Sequence, residues 1–112
     1  MPRIEVKEDK FFWTKHSKKK MDYYRLSGSR VLRIFRNPER VEEGIAPGTI
    51  ASMQVAGTKK NPTEIWLMYQ VLKRPKGIKV ISTWRYPGRT PKGVRPDIPK
   101  DVLEELEGLI SK

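Results

Sequence analysis

Three stretches in the second half of the chain carry the strongest hydrophobic pattern. Thr49 to Ala56 alternates apolar and polar residues, as a half-buried strand does. Glu64 to Leu72 (EIWLMYQVL) is almost continuously apolar, the signature of a central strand covered on both faces. Ile78 to Tyr86 (IKVISTWRY) is a third strand. Period two sets its Ile78, Val80, Ser82 and Trp84 on one face and Lys79, Ile81, Thr83 and Arg85 on the other. The hairpin loop GTKKNP (57–62) and the turn KRPKG (73–77) join the three into an antiparallel meander with 64–72 in the middle.

The first half reads as helices. Arg3 to Lys7 alternates briefly as a short strand, and Phe11-Phe12-Trp13 is an apolar cluster that must lie against the core. A helix is predicted from Lys15 to Arg25, with Ser17, Met21 and Tyr24 as its inward stripe. Gly28 breaks it, and Ser27 or Ser29 caps a second helix, Arg30 to Arg36. That helix buries Val31, Leu32, Ile34 and Phe35, turns Arg30, Arg33 and Arg36 outward, and stops at Asn37-Pro38. Ile45 to Gly48 is a turn. The segment 87–99 holds four prolines and two glycines and reads as an ordered loop or a mobile arm. Residues 100–112 form an acidic C-terminal helix with Val102, Leu103, Leu106, Leu109 and Ile110 apolar. The order predicts an α+β fold: two N-terminal helices on one face of an antiparallel β-meander, plus a C-terminal helix. At 112 residues the chain is expected to be a single domain, 1–112.

Charge sharpens this picture. The net charge is +11, unevenly spread. Residues 1–37 carry +7, residues 38–72 carry −1, residues 73–96 carry +8 and the last sixteen carry −3. Two basic blocks therefore flank a near-neutral apolar middle, and a polyanion explains them if they meet in space. Solubility charge on a small protein is the plain alternative. There is no cysteine and only one histidine, so neither a disulfide framework nor a metal site is expected. No apolar run reaches the roughly 18 residues of a membrane span, and MPRIEVKEDK lacks a secretion-signal core. A cytoplasmic protein with no membrane association is the expectation. With no Gly-x-Gly-x-x-Gly and no Walker-type loop, no cofactor is expected. Glu39, Glu42 and Glu43 follow a proline stop and read as solvated loop.

The chemistry-bearing residues concentrate in TKHSKKKMDYYRLS (14–27), where His16, Lys20 and Tyr23 fall on one helical stripe beside the buried one. The spacing His16, Met21, Ser27, Val31, Asn37-Pro38, seen in HSKKKM, RLS and RNP, resembles a small bacterial domain family of unknown function. That family opens with a His-Ala-x-x-Arg-Met-like helix, continues with Gly-Ile-Ser and closes its second helix with Asn-Pro. It is similar in turn to BrnT toxins of the RelE/ParE-like ribonuclease group, whose aromatic-x-Trp opening Phe11-Phe12-Trp13 matches. The resemblance covers about residues 11–88. One departure stands out: Tyr24-Arg25-Leu26 replaces the family's Arg-Gly-Ile, so the glycine hinge is missing or moved to Gly28.

The resemblance implies metal-independent endoribonuclease chemistry of the toxin–antitoxin kind. Such cleavage needs a base, an acid and cations for the phosphorane charge. His16, with an imidazole that titrates near neutrality, fits the acid–base role, and Lys20, Tyr23 and Arg85 complete the candidate catalytic set. The sheet-terminal Arg85 would line an RNA groove in such a fold. Lys15, Lys18, Lys19, Arg30, Arg33, Lys79, Tyr86 and Arg89 are the candidate nucleic-acid contacts. The plainer reading makes His16 a helix-start histidine bonded to nearby backbone, and places Tyr24, Trp66 and Trp84 in the core. Expected partners are RNA, free or on the ribosome, and a cognate antitoxin. Two alternatives stay open: a non-catalytic nucleic-acid-binding module, and a protein-interaction domain that receives an acidic partner.

Overall fold

Ile65, Leu67 and Tyr69 point to one side of their strand and Trp66 and Met68 to the other, and all five are buried. This strand is the centre of the molecule. In the computed structural model, which describes residues 10–45, 48–93 and 98–104, the chain runs β1 (Phe11–Trp13), α1 (Lys15–Tyr24), α2 (Gly28–Arg36), β2 (Arg40–Glu43), β3 (Thr49–Gly57), β4 (Pro62–Lys73) and β5 (Lys76–Pro87). A C-terminal helix, α3, opens at residues 100–104. The five strands form one sheet in the order β1-β5-β4-β3-β2.

The α+β class and the β3–β4–β5 meander are as the hydrophobic pattern predicts, with β4 in the middle. Three features differ. The sheet is mixed, because β1 pairs in parallel with β5. A three-residue strand is too short to show a period, and its partner lies 67 residues away in register, Phe11 opposite Ile78. The second difference is β2, whose Glu42 sits in a ladder opposite Ala51 rather than in a solvated loop. Third, the helices do not share a face. Leu26, Val31 and Ile34 of the helical region pack with Ile65, Leu67, Ile78 and Val80, whereas Val102 packs with Trp66, Met68 and Trp84 on the opposite face. The sheet is therefore sandwiched between layers. The predicted strand 3–7 and residues 105–112 lie outside the described residues.

A β-bulge decides which side chains of β5 face which layer. Met68 pairs with Ser82, but the next residue, Tyr69, pairs with Val80, so Ile81 is an extra residue on β5. Strict alternation puts Ile78, Val80, Ser82 and Trp84 together; the bulge splits them. Ile78 and Val80 stay in the core under α1 and α2, while Trp84, Tyr86 and Ile81 join the core of the other face. Arg85 is carried to the α1 side.

Both helices end on side chains from the sheet. The last carbonyls of a helix have no partner within it. Arg85 Nε donates to Tyr24 O at 2.7 Å and its Nη2 to Arg25 O at 3.3 Å, closing α1. Gln54 Nε2 donates to Arg33 O and Asn37 O, closing α2. Arg25 takes the left-handed conformation (φ 57°), and it occupies the position of the glycine in the Arg-Gly-Ile pattern. The hinge has not moved to Gly28, which is the first residue of α2. No helix among the described residues is long and apolar enough to cross a membrane.

The β1–β5 pairing depends on the absence of a side chain at Gly77. A Cβ there would stand 2.6 Å from the Phe12 ring and 2.8 Å from the Lys10 carbonyl oxygen. Gly77→Ala should therefore loosen β1 and cost about 1–3 kcal/mol, the usual scale of overpacking. Urea unfolding measures the loss, and amide exchange should speed up at Ile78, whose N–H donates to Lys10 O.

Candidate nucleic-acid interface

Thr14 joins the two basic blocks. Its hydroxyl accepts the Ser17 N–H at 3.0 Å, capping α1, and donates to Val80 O at 3.0 Å with Ile81 O a second acceptor at 3.3 Å. The first turn of α1 is thereby fixed to the edge of β5 where β1 stops. Lys15, Lys18 and Lys19 are exposed on that helix, and Lys79 is exposed on β5 opposite Phe12. Lys10 joins them, its carbonyl accepting from Ile78 N–H at 2.7 Å. Arg33 and Arg36 are exposed on α2, and Arg30 is half-buried. Lys10 and the first turn of α1 are thus brought beside Lys76 and Lys79, forming a cationic corner. The acidic β2 residues lie at the other edge of the sheet.

Arg89 and Tyr86 do not belong to this corner. They lie at the far end of β5, roughly 25 Å along the strand from Lys79. Tyr86 is half-buried against the second core, and Arg89 donates through Nε to Glu64 at 3.3 Å.

The four residues of the candidate catalytic set have separate engagements. His16 is buried, and its Nε2 lies 2.8 Å from Ser82 Oγ, a side chain with no exposed surface. Lys20 is also buried; its ammonium pairs with Asp101 of α3 at 2.7 Å. Tyr24 donates to the same carboxylate, at 3.2 and 3.3 Å, so two residues of α1 hold α3 in place. Tyr23 stays in water at 70% exposure. Arg85 caps α1 from the opposite side of the sheet to Ser82, because the two are three residues apart on the regular part of β5 beyond the bulge. His16 and Lys20 share a helix face, but Arg85 does not close a groove with them. The inward face of α1 is His16, Ser17 and Lys20, with Met21 and Tyr24 half-buried beside it. The core placement read for Trp66 and Trp84 holds, since neither has exposed surface.

A second polar cluster escaped the sequence reading. Glu64 is fully buried, and its carboxylate accepts from Trp66 Nε1 (3.0 Å), Thr90 Oγ1 (2.7 Å), Thr90 N (3.0 Å) and Arg89 Nε. Arg40 Nη1 stands 3.5 Å away and also donates to Thr90 O, while Arg40 Nη2 donates to Pro91 O. The same guanidinium binds Glu42 and lies over the Trp66 ring, 5.1 Å from its centroid. This network fastens the start of the proline-rich segment to the sheet, so 88–93 is ordered loop. One signal was present: Glu64 is the sole acid in an otherwise apolar strand, two residues before a tryptophan whose N–H needs an acceptor.

Burial alone would raise the Glu64 pKa, but donation by the Thr90 backbone and hydroxyl, the Trp66 indole and Arg89 holds it below the ordinary value. Asp101 follows the same logic. Burial raises it, and the hydrogen bond and charge of Lys20, with Tyr24, pull it below the ordinary value. The Tyr24 hydroxyl is pushed upward by burial and by the Asp101 charge. Among the described residues no group of three or more His, Asp or Glu side chains is placed to hold a metal ion.

No family model, curated protein or solved structure is significantly similar to this chain.

The two depressed carboxylates set the acid stability. A group whose folded pKa lies below its unfolded value stabilises fully above the unfolded value, and that stability disappears as pH falls through the folded one. The urea midpoint should thus hold from neutral pH to about 5 and decline below the ordinary values of 4.5 for Glu64 and 3.8 for Asp101. Glu64→Gln should cost about 1–3 kcal/mol at neutral pH, because an amide NH2 replaces one of the two oxygens that accept from Trp66, Thr90 and Arg89 and leaves buried donors unmatched, while Arg40 keeps Glu42. The decline below pH 4.5 should be shallower in that variant.

Proposed function

We propose that the protein binds nucleic acid, RNA foremost, through the cationic corner formed by Lys10, the first turn of α1 and the start of β5. The observation that carries this reading is the junction at Thr14 and Lys10. It brings the first basic block beside the opening of the second, residues 76–79, which is distant in sequence. Internal pairing strengthens the contrast. Asp101 neutralises the buried Lys20, and Glu64 and Glu42 neutralise the buried Arg40. Lys15, Lys18 and Lys79 are exposed cations of the kind that neutralise phosphates.

Binding, rather than cleavage, is the activity proposed. A ribonuclease of the BrnT kind would need His16, Lys20 and Arg85 around one phosphate. Here Lys20 serves Asp101, Arg85 serves the end of α1, and the Ser82 partner of His16 is closed to solvent. The wild-type protein should accordingly leave RNA intact, both free and on translating ribosomes.

Affinity for RNA should fall by orders of magnitude between ~50 and ~200 mM salt, as neutralised phosphates release counterions. Lys18→Ala and Lys19→Ala should each flatten the logarithmic salt slope by about one charge, with little change in thermal midpoint. Lys59→Ala and Lys60→Ala, in the loop between β3 and β4, should leave binding unchanged. Fluorescence anisotropy against salt measures all four. A flat salt dependence, or no binding at low salt, removes the proposal.

A further inference from the structure

Four large hydrophobic side chains are exposed among the described residues: Phe12, Tyr23, Val41 and Val71. Phe12 lies at the cationic corner itself, and Tyr23 lies at the other end of α1, next to the Tyr24 carbonyl that Arg85 caps. Phe12 stands cross-strand from Lys79, and Tyr23 follows Lys15 and Lys19 on one stripe of α1 at intervals of four residues. Scattered exposed side chains are ordinary on any protein surface. Tyr23 differs in how it is held.

Its ring meets the Tyr24 ring edge to face, 4.8 Å between centroids and 84° between planes. The Lys20 ammonium lies 5.4 Å from its centroid. Tyr24 and Lys20 are themselves anchored on Asp101, so the two contacts that orient Tyr23 are fixed by α3. At 70% exposure, most of the ring surface stays in water. An aromatic ring that is held in place, wet and bordered by lysines is what an unpaired base stacks on. A duplex offers such a ring little, because its base faces are already stacked.

Resting on the nucleic-acid reading, we infer that this corner, with the α1 stripe that leads from it to Tyr23, takes single-stranded nucleic acid in preference to duplex, with one base stacked on Tyr23. The lysines contact phosphates and set the salt dependence. Tyr23 supplies the discrimination between strands, and α3 supports it indirectly by fixing Lys20 and Tyr24.

The test uses the full chain with three ligands: a single-stranded RNA oligomer, the duplex of the same sequence, and inorganic polyphosphate. Single strands should bind more tightly than duplex at equal salt. Tyr23→Ala should weaken single-strand binding about 10-fold, the scale of one lost base–aromatic stack. Its salt slope, and its affinities for duplex and polyphosphate, should match wild type. Tyr23→Phe should keep the single-strand affinity. Because the side chain is exposed, both variants should keep the wild-type thermal midpoint, which is measured alongside. Equal binding of single strand and duplex, or a Tyr23→Ala variant with unchanged single-strand affinity, overturns the stacking inference while RNA binding itself stands. A loss shared by all three ligands overturns it too, since polyphosphate has no base. Failure of wild type to bind any of the three removes the nucleic-acid reading beneath it.

Discussion

One hydroxyl group holds the architecture at its most consequential point. Thr14 ends β1, caps α1 and bonds to the carbonyls of β5 where the β1 ladder stops. An edge strand needs some cover for its unpaired backbone. Here three residues of β1 pair with the start of β5, and α1 then lies against the same strand. That exchange of strand for helix places the N-terminal lysines beside those of β5. It also lets α1 reach both faces of the sheet, and Tyr24 packs against both cores.

The bulge at Ile81 is the second constraint, and it acts through Arg85. Were Ile81 taken into a regular ladder, Arg85 would face the α3 layer and the carbonyls of Tyr24 and Arg25 would lose their donor. A left-handed residue other than glycine costs roughly 1–2 kcal/mol. The guanidinium across the two carbonyls helps hold Arg25 in that conformation.

Charge is sorted by burial. Every acid with a strong internal role faces a cation that has left solvent: Asp101 with Lys20, Glu42 and Glu64 with Arg40. The Asp101–Lys20 pair is neutral, and Glu42 and Glu64 share Arg40 with the exposed Arg89 as a further cation, so the large positive excess of the chain stays on the surface. The acids of the middle and tail therefore do more than dilute the net charge. They hold α3 and the 88–93 loop to the sheet, and through α3 they orient the one strongly exposed tyrosine.

The sequence by itself determined the elements whose order depends on neighbours along the chain. The apolar run 64–72 made β4 central, Asn37-Pro38 ended α2, and the turns at 57–62 and 73–77 made the meander, since hairpins need only local information. It also separated the two basic blocks clearly. Only the tertiary structure decided whether those blocks meet, because the pairing of Phe11 with Ile78 leaves no periodic trace in three residues. Tertiary structure likewise removed Lys20 and Arg85 from any shared site. A one-residue bulge inverts the faces of a strand without altering its composition, and the partner of Lys20 lies 81 residues away on another helix. Side-chain type and spacing are local properties. The countercharge a buried cation meets, and the face on which it meets it, are set by contacts the chain makes only after it has folded.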